Sequence, residues 1–291
     1  MKDSIKKYIN YLHDVKKISQ NTELSYERDL RKMADYFEKN GISDLQYVDV
    51  ALLKGYIDFL KQQGMKASTI SRSIASIKAF FLREYELGNI DSDIATSLKA
   101  PKIEKKVPVI LTIEETRQIL SQPGNNTDKE IRDKAILELL YATGIRVTEL
   151  ISMKITDVDL LYEKVYITNR SGRQREIHID KSAVRALKNY IGEVRNRMIG
   201  GKEQDALFVN CSGTQMSRQG LWKIIKHYAQ MAGIEADITP HTLRHSCAAH
   251  MLHSGMDIHD IQKIMGHSDI SSTQMYINID NNSKSNIQEY R

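Results

Sequence analysis

The segment KAPKIEKKVP, residues 99–108, sets the firmest limit on how this chain folds. Four lysines, two prolines and one glutamate within ten residues oppose a helix or a buried strand. Proline removes a backbone donor, and the lysines have to stay hydrated. The chain on either side must therefore bury its own core, and 291 residues are enough for two domains. The expected division is a helical domain over 1–98, a basic linker over 99–108 and a second domain over 109–291. The linker has two readings, a solvated hinge or a strap along phosphates, with Lys102 and Lys105 as its candidate contacts.

Ahead of the linker the apolar residues recur at helical spacing. Tyr26, Leu30, Met33 and Phe37 form a stripe between Asn21 and Asn40, closed by Gly41. A second helix carries Leu53, Ile57 and Leu60 up to Gly64, and a third runs from Ser68 through Ile70, Ile74, Ile77 and Phe81 to Gly88. A short fourth helix is expected around Ile94 and Leu98, before Pro101. Such a domain leaves little room for a small-molecule pocket. Beyond the linker the pattern changes. Thr112 with Glu115, and Thr127 with Glu130, are capping boxes that open helices. LYEKVYITN and REIHID read as strands joined by a turn at Ser171-Gly172. Three or four helices follow; Thr239-Pro240 is an N-cap with proline at the first helical position, and Gly255 and Gly266 are helix stops. The second half is thus α+β and dominated by helix.

Bulk properties exclude more than they assign. The N-terminal stretch MKDSIKKYINYLHDVKK is charged and amphipathic, with no apolar core of a signal peptide. No run of roughly 18 apolar residues occurs, so no membrane span is expected. Two distant cysteines, Cys211 and Cys247, make no disulfide framework, which points to a reducing, cytoplasmic setting. A net charge of +5 admits a polyanionic partner without demanding one.

Four clusters in the second half concentrate chemistry: TGIRVTEL at 143–150, NRSGRQR at 169–175, HTLRH at 241–245 and MGHSDISSTQMY at 265–276. Singly, each has an ordinary reading. Arg146 after a helix stop is commonly a surface residue. His241 and Arg244 share a helix face that could simply be solvated. His267 after a glycine suits a helix C-cap, and Tyr276 suits a core position with one wet end.

Together, in this order and spacing, TGIRVTEL, HTLRH and GHSDISSTQMY resemble the active-site boxes of the tyrosine recombinases, the family of the Xer recombinases and the phage and transposon integrases. The resemblance runs over nearly the whole chain. It implies an all-α, SAM-like core-binding domain followed by a mainly helical α+β catalytic domain with a small antiparallel sheet. It also implies a site-specific recombinase that needs neither metal nor cofactor. Arg146 and Arg244 would clamp the scissile phosphate, His241 and His267 would hydrogen-bond it or assist proton transfer, and Tyr276 would attack to give a 3′-phosphotyrosine. The residue types suit that chemistry, because two guanidinium forks can neutralise a phosphorane-like transition state. Glu149 would orient Arg146. Candidate DNA contacts are Ser71, Arg72 and Lys78 on the third helix, Lys102 and Lys105 in the linker, Arg173 in the strand turn and Arg218 at the start of a later helix. The implied partners are a double-stranded recombination site and a homo- or hetero-tetramer on two such sites, passing through a Holliday junction. A second recombinase and a DNA translocase are further candidates; no membrane is implied. The tail INIDNNSKSNIQEYR is similar to the segment that docks on a neighbouring protomer. Lacking an extra arm-binding domain, the chain is similar to the simple Xer enzymes, in chromosome dimer resolution or on a mobile element.

One departure matters. Family members carry a lysine in the strand turn, in a GKG-like stretch, as general acid for the leaving 5′ oxygen. Here Arg170 holds that place, and 169–173 contain no lysine. Arginine binds phosphate but gives up a proton poorly. Either Arg170 acts electrostatically while water or a histidine delivers the proton, or the enzyme is slow, or it has been altered. Arg170 is also the only support for a rival reading, a DNA-binding protein on the same fold that no longer cuts. Two further readings carry less weight. His241 and His245 stand at zinc-ligand spacing but lack the glutamate of an HExxH helix. A type IB topoisomerase shares the chemistry, but its expected insertions are missing.

Overall fold

In the computed structural model the described residues are 1–103, 108–169, 172–266 and Gln274. The chain divides into two compact units, Met1–Lys106 and Val107–Arg291. The first contains α1 (Lys2–Asp14), α2 (Gln20–Lys39), α3 (Val50–Gln62) and α4 (Ala67–Glu86). The predicted stripes face inward: Leu30, Met33 and Phe37 meet Leu53, Tyr56 and Leu60, and Ile70, Ile74, Ile77, Phe80 and Phe81 close the core. Ser19 and Asp49 cap α2 and α3 through their side-chain oxygens.

Two expectations for this unit need correction. The charged N-terminal stretch is a full helix, α1, which buries Ile5, Tyr8, Ile9 and Leu12 and so supplies a wall of the core. The piece around Ile94 and Leu98 is a run of turns, not a helix. The Asp93 carboxylate accepts the Ala95 N–H and the Thr96 hydroxyl, giving the backbone a local alternative to helical bonding. Ala95 and Leu98 are buried all the same.

The second unit comprises α5 (Ile113–Ser121), α6 (Asp128–Thr143), α7 (Val147–Ser152), β1 (Val158–Asp159), β2 (Lys164–Thr168), β3 (Gln174–His178), α8 (Lys181–Asn189), α9 (Arg195–Ile199), α10 (Arg218–Met231), α11 (Pro240–His253) and α12 (Ile258–Met265). A wide turn over Tyr190–Val194 joins α8 to α9. Both predicted capping boxes form, Thr112 with Glu115 and Thr127 with Glu130. Helix α6 is buried on nearly every side, against α5, α8 and α11. Its buried Arg132 donates through Nε and Nη2 to Asp133, whose other oxygen accepts the Tyr228 hydroxyl. The sheet is antiparallel in the order β1-β2-β3, with Val165 opposite Ile177 and Ile167 opposite Arg175. Val165, Ile167 and Ile177 are buried, so Arg175 sits on the inward face of β3.

Candidate active site

The site begins at the C-terminus of α6. Gly144 ends that helix in the left-handed conformation at φ +54°, and a Cβ there would stand 2.6 Å from Met265 Sδ. Two residues later Arg146 is the N-cap of α7, and its backbone N–H donates to Glu149 Oε2 at 2.9 Å. Arg244 reaches the same corner from α11, whose start is fixed by Thr239 and Pro240 as expected. Its guanidinium donates to the carbonyls of Gly144 and Met265. Arg146 Nη2 donates to Gly266 O at 2.8 Å.

A third arginine completes the cluster. Arg175 donates from Nε to Ile264 O at 2.9 Å, and from Nη1 and Nη2 to the two oxygens of Glu149 at 2.9 and 3.0 Å. Three guanidinium groups from three elements therefore hold the consecutive carbonyls of Ile264, Met265 and Gly266 at the C-terminus of α12. The last carbonyls of a helix lack intrahelical partners and carry the negative end of its dipole, so cations belong there. Glu149 lies beneath, with its side chain 5 % exposed. Burial works to raise its carboxyl, but the Arg175 fork and the Arg146 N–H outweigh it and hold the group below the usual carboxylate range. Glu149 is thus a desolvated anion that orders two arginines, not a solvated surface partner. The Arg146 side chain is 37 % exposed, which leaves part of its guanidinium open to a ligand, whereas Arg244 is buried.

His241 is exposed near the start of α11, three residues before Arg244, with its ring 6.4 Å from that of His245. The half-buried His245 ring is pushed below the ordinary histidine value by burial first, then by His241 and Arg244. Further along α11, His250 Nε2 donates to Leu111 O at 2.8 Å, so its Nδ1 accepts the Tyr141 hydroxyl at 2.9 Å. Ser246 Oγ accepts the Leu111 N–H. The chain following the linker is pinned in this way to the helix that carries Arg244.

Of the predicted residues, the fold brings Arg146, Glu149 and Arg244 together and sets His241 on the Arg244 helix. Arg170, His267, Tyr276 and Lys105 lie outside the described residues; His267 follows Gly266 directly in sequence. Arg173 is exposed in a turn closed by Asn169, whose Oδ1 accepts the Arg173 N–H. Arg218 is exposed at the first position of α10, and Lys102 is exposed. The α4 candidates are engaged within their own unit. Arg72 forms a forked pair with buried Asp29 at 2.9 Å, Lys78 donates to Thr96 O at 2.9 Å, and Ser71 donates to Pro101 O. Arg175 was missed. The available signal was its place in Arg175-Glu176-Ile177-His178-Ile179, where strand alternation puts a cation in line with two core isoleucines. Among the described residues, no group of three or more His, Cys, Asp and Glu side chains is placed to hold a metal ion, and no helix is long and apolar enough to cross a membrane.

Comparison with known proteins agrees with this anatomy. Residues 5–83 match the phage integrase N-terminal SAM-like domain, and residues 110–283 match the phage integrase family. Tyrosine recombinase XerD of Staphylococcus epidermidis is 37 % identical over 289 residues, 99 % of this chain and 97 % of that protein. Tyrosine recombinase XerD of Listeria monocytogenes is 36 % identical, covering 96 % of this chain and 95 % of its own length. Among solved structures, a post-cleavage complex of the XerH site-specific recombinase bound to a palindromic difH substrate superposes with a TM-score of 0.77 at 18 % identity, over 99 % of this chain and 84 % of that one. An arginine corner between two helix ends, a SAM-like helical unit ahead of it and near-full-length similarity to the Xer enzymes place the chain in the phage integrase family, as a site-specific tyrosine recombinase.

Proposed function

We propose that Arg146 and Arg244 bind the scissile phosphate of a recombination site and that Tyr276 is the nucleophile. The observation that carries this reading is the convergence of the two guanidinium groups on the Met265 and Gly266 carbonyls, immediately before His267 in the chain. Tyr276 Oη attacks phosphorus and the bond to the 5′ oxygen breaks. The phenol proton leaves, the 5′ oxygen takes up a proton, and a 3′-phosphotyrosine and a free 5′ hydroxyl result. The phosphodiester energy stays in the new ester, so rejoining is the same exchange in reverse. Arg146 and Arg244 offset charge on the nonbridging oxygens, and His241 and His267 hydrogen-bond the phosphate or pass the proton. Arg170 adds charge at the leaving oxygen, while water or a histidine supplies the proton.

The division into residues 1–98, a basic linker over 99–108 and a catalytic part from 109 fits a protein that grips duplex DNA with both units. Lys102, Lys105, Arg173 and Arg218 are the proposed backbone contacts, so affinity falls steeply with salt. Ser71, Arg72 and Lys78 are weaker candidates, because each is already bonded inside its unit. Recombination in this reading joins four protomers on two sites in the cytoplasm, through a Holliday junction. The tail from about Ser283 docks on a neighbour. Its deletion leaves DNA binding intact and impairs exchange between two sites.

Covalent trapping tests the reading. The protein is incubated with nicked suicide duplexes tiled across the DNA that flanks its own gene and the chromosome terminus. The expected product is a protein–DNA band on a denaturing gel that Tyr276→Phe alone removes entirely. Loss of either Arg146 or Arg244 lowers its rate about a hundredfold or more. The Arg170 substitution favours one second reading, a DNA-binding protein that no longer cuts. A band from Arg170→Lys with none from the natural chain would establish that alternative.

A further inference from the structure

We propose that Arg175 is a positioning residue for strand cleavage, an inference that rests on the reading in which Arg146, Arg244 and Tyr276 perform it. Each guanidinium nitrogen of Arg175 donates within the protein, Nε to Ile264 O and the two Nη atoms to Glu149. Its side chain is 16 % exposed, against 37 % for Arg146. It ties three elements into one corner: β3, which follows Arg170 in sequence; α7, which follows its N-cap Arg146; and α12, whose next residues in sequence lead to His267 and Tyr276. The packing is close. A Cβ on Gly266, at φ +61°, would stand 2.9 Å from Arg175 Nη1 and 3.0 Å from Cζ. A side chain at 266 would have to push the guanidinium aside, whereas glycine leaves it in place beside the α12 terminus.

The charge arithmetic gives Arg175 its role. Glu149 is one buried anion between two cations. Arg175 satisfies it with a short fork, and Arg146 Nη1 stays at a longer 3.4 Å. The Arg146 charge therefore remains available to a phosphate. Without Arg175, the desolvated carboxylate has Arg146 as its remaining partner and draws that guanidinium inward, away from Gly266 O and from DNA. A displacement of about 1 Å in a reacting group costs on the order of a hundredfold in rate.

The test is single-turnover cleavage of the nicked suicide duplex that the natural protein captures, with Arg175→Gln, Arg175→Lys and the pair Arg175→Gln/Glu149→Gln. For Arg175→Gln the cleavage rate constant falls about 10- to 100-fold. Its affinity for the duplex stays within about twofold and the fraction of protein able to react is unchanged. Arg175→Lys lies between, since an ammonium pairs with Glu149 without forking. Adding Glu149→Gln to Arg175→Gln raises the rate constant, because the competing anion is gone, and it keeps the test open if the single variant folds poorly. A merely structural role lowers the reactive fraction and the melting temperature and leaves the rate constant alone. That result overturns the proposal, as does a further fall in rate constant when Glu149→Gln is added. A natural chain that gives no band at all overturns the cleavage reading, and the positioning role with it. A natural band lost in Tyr276→Phe, with an unaltered rate constant in Arg175→Gln, overturns the positioning role alone.

Discussion

Replacing Gly144 with alanine tests how tightly the α6 terminus is fitted to the arginine corner. Two terms add. A left-handed backbone at φ +54° costs an L-residue about 1–2 kcal/mol. The new Cβ meets Met265 Sδ at 2.6 Å, Met265 Cε at 3.1 Å and Cys247 Sγ at 3.3 Å, all within buried side chains. Overpacking of that kind costs about 1–3 kcal/mol, for a total of roughly 2–5. Gly233 is the matched control. Its φ of +71° carries the same backbone term, but nothing lies within 4 Å of its Cβ position, so Gly233→Ala loses only about 1–2 kcal/mol. Urea unfolding followed by fluorescence isolates this unit, because the chain has one tryptophan, Trp222 on α10. With a urea slope of about 1–3 kcal/mol/M, the excess midpoint shift of Gly144→Ala is on the order of 1 M. Trimming the obstacle with Met265→Ala should recover the steric part, so the double variant is about 1–3 kcal/mol more stable than the sum of the single losses. Equal shifts for Gly144→Ala and Gly233→Ala would refute the packing argument, and so would strict additivity with Met265→Ala.

Three further outcomes follow from buried groups. Cys211 is exposed, while burial pushes the Cys247 thiol up to about 12. A thiol reagent near neutral pH therefore labels Cys211 in the native chain and both cysteines in urea; rapid native labelling of Cys247 would contradict the packing of α11. Burial, opposed by the Leu111 carbonyl, holds His250 below the ordinary 6.5, and burial lowers His245 as well. The unfolded chain binds these protons first, so stability is full above about pH 6.5 and declines as pH falls through the lowered folded values. Melting curves across that window should fall less steeply for His250→Gln, and identical slopes would remove His250 from the account. Asp133→Ala leaves Arg132 buried without its carboxylate and should cost about 3–5 kcal/mol by Trp222-monitored unfolding, much of it recovered by Arg132→Met in the same chain. No recovery in the pair would mean that the hydrogen bond from Tyr228 matters more than the ion pair.

Local chemistry made most of the architecture legible in the sequence. Thr112 and Thr127 marked helix starts through reciprocal side-chain bonds, and Thr239-Pro240 fixed the start of α11. Such signals act within four residues and need no partner from elsewhere. Spacing also put His241 and Arg244 on one helix. Where a nearby side chain competed with the periodicity, the reading failed. Asp93 turned the expected helix at Ile94 into turns, and the lysines of α1 masked an inward face of Ile5, Tyr8, Ile9 and Leu12.

Four elements, α7, β3, α11 and α12, had to pack before the corner itself could exist. The resemblance of the boxes at 143–150 and 241–245 to the active-site boxes of the family pointed to Arg146 and Arg244 as phosphate-binding candidates. Their shared attachment to the end of α12, however, spans 120 residues for Arg146 and 21 for Arg244. The resemblance gave Glu149 a role in orienting Arg146, but only burial between two guanidinium groups made it a desolvated anion. Arg175, 26 residues from Glu149, gained its place only when β3 turned it inward. Sequence determines which groups can carry charge and which backbone turns can form, because those depend on covalent chemistry and near neighbours. Tertiary structure decides which charges lose their water and face one another, because desolvation is a property of the assembled core.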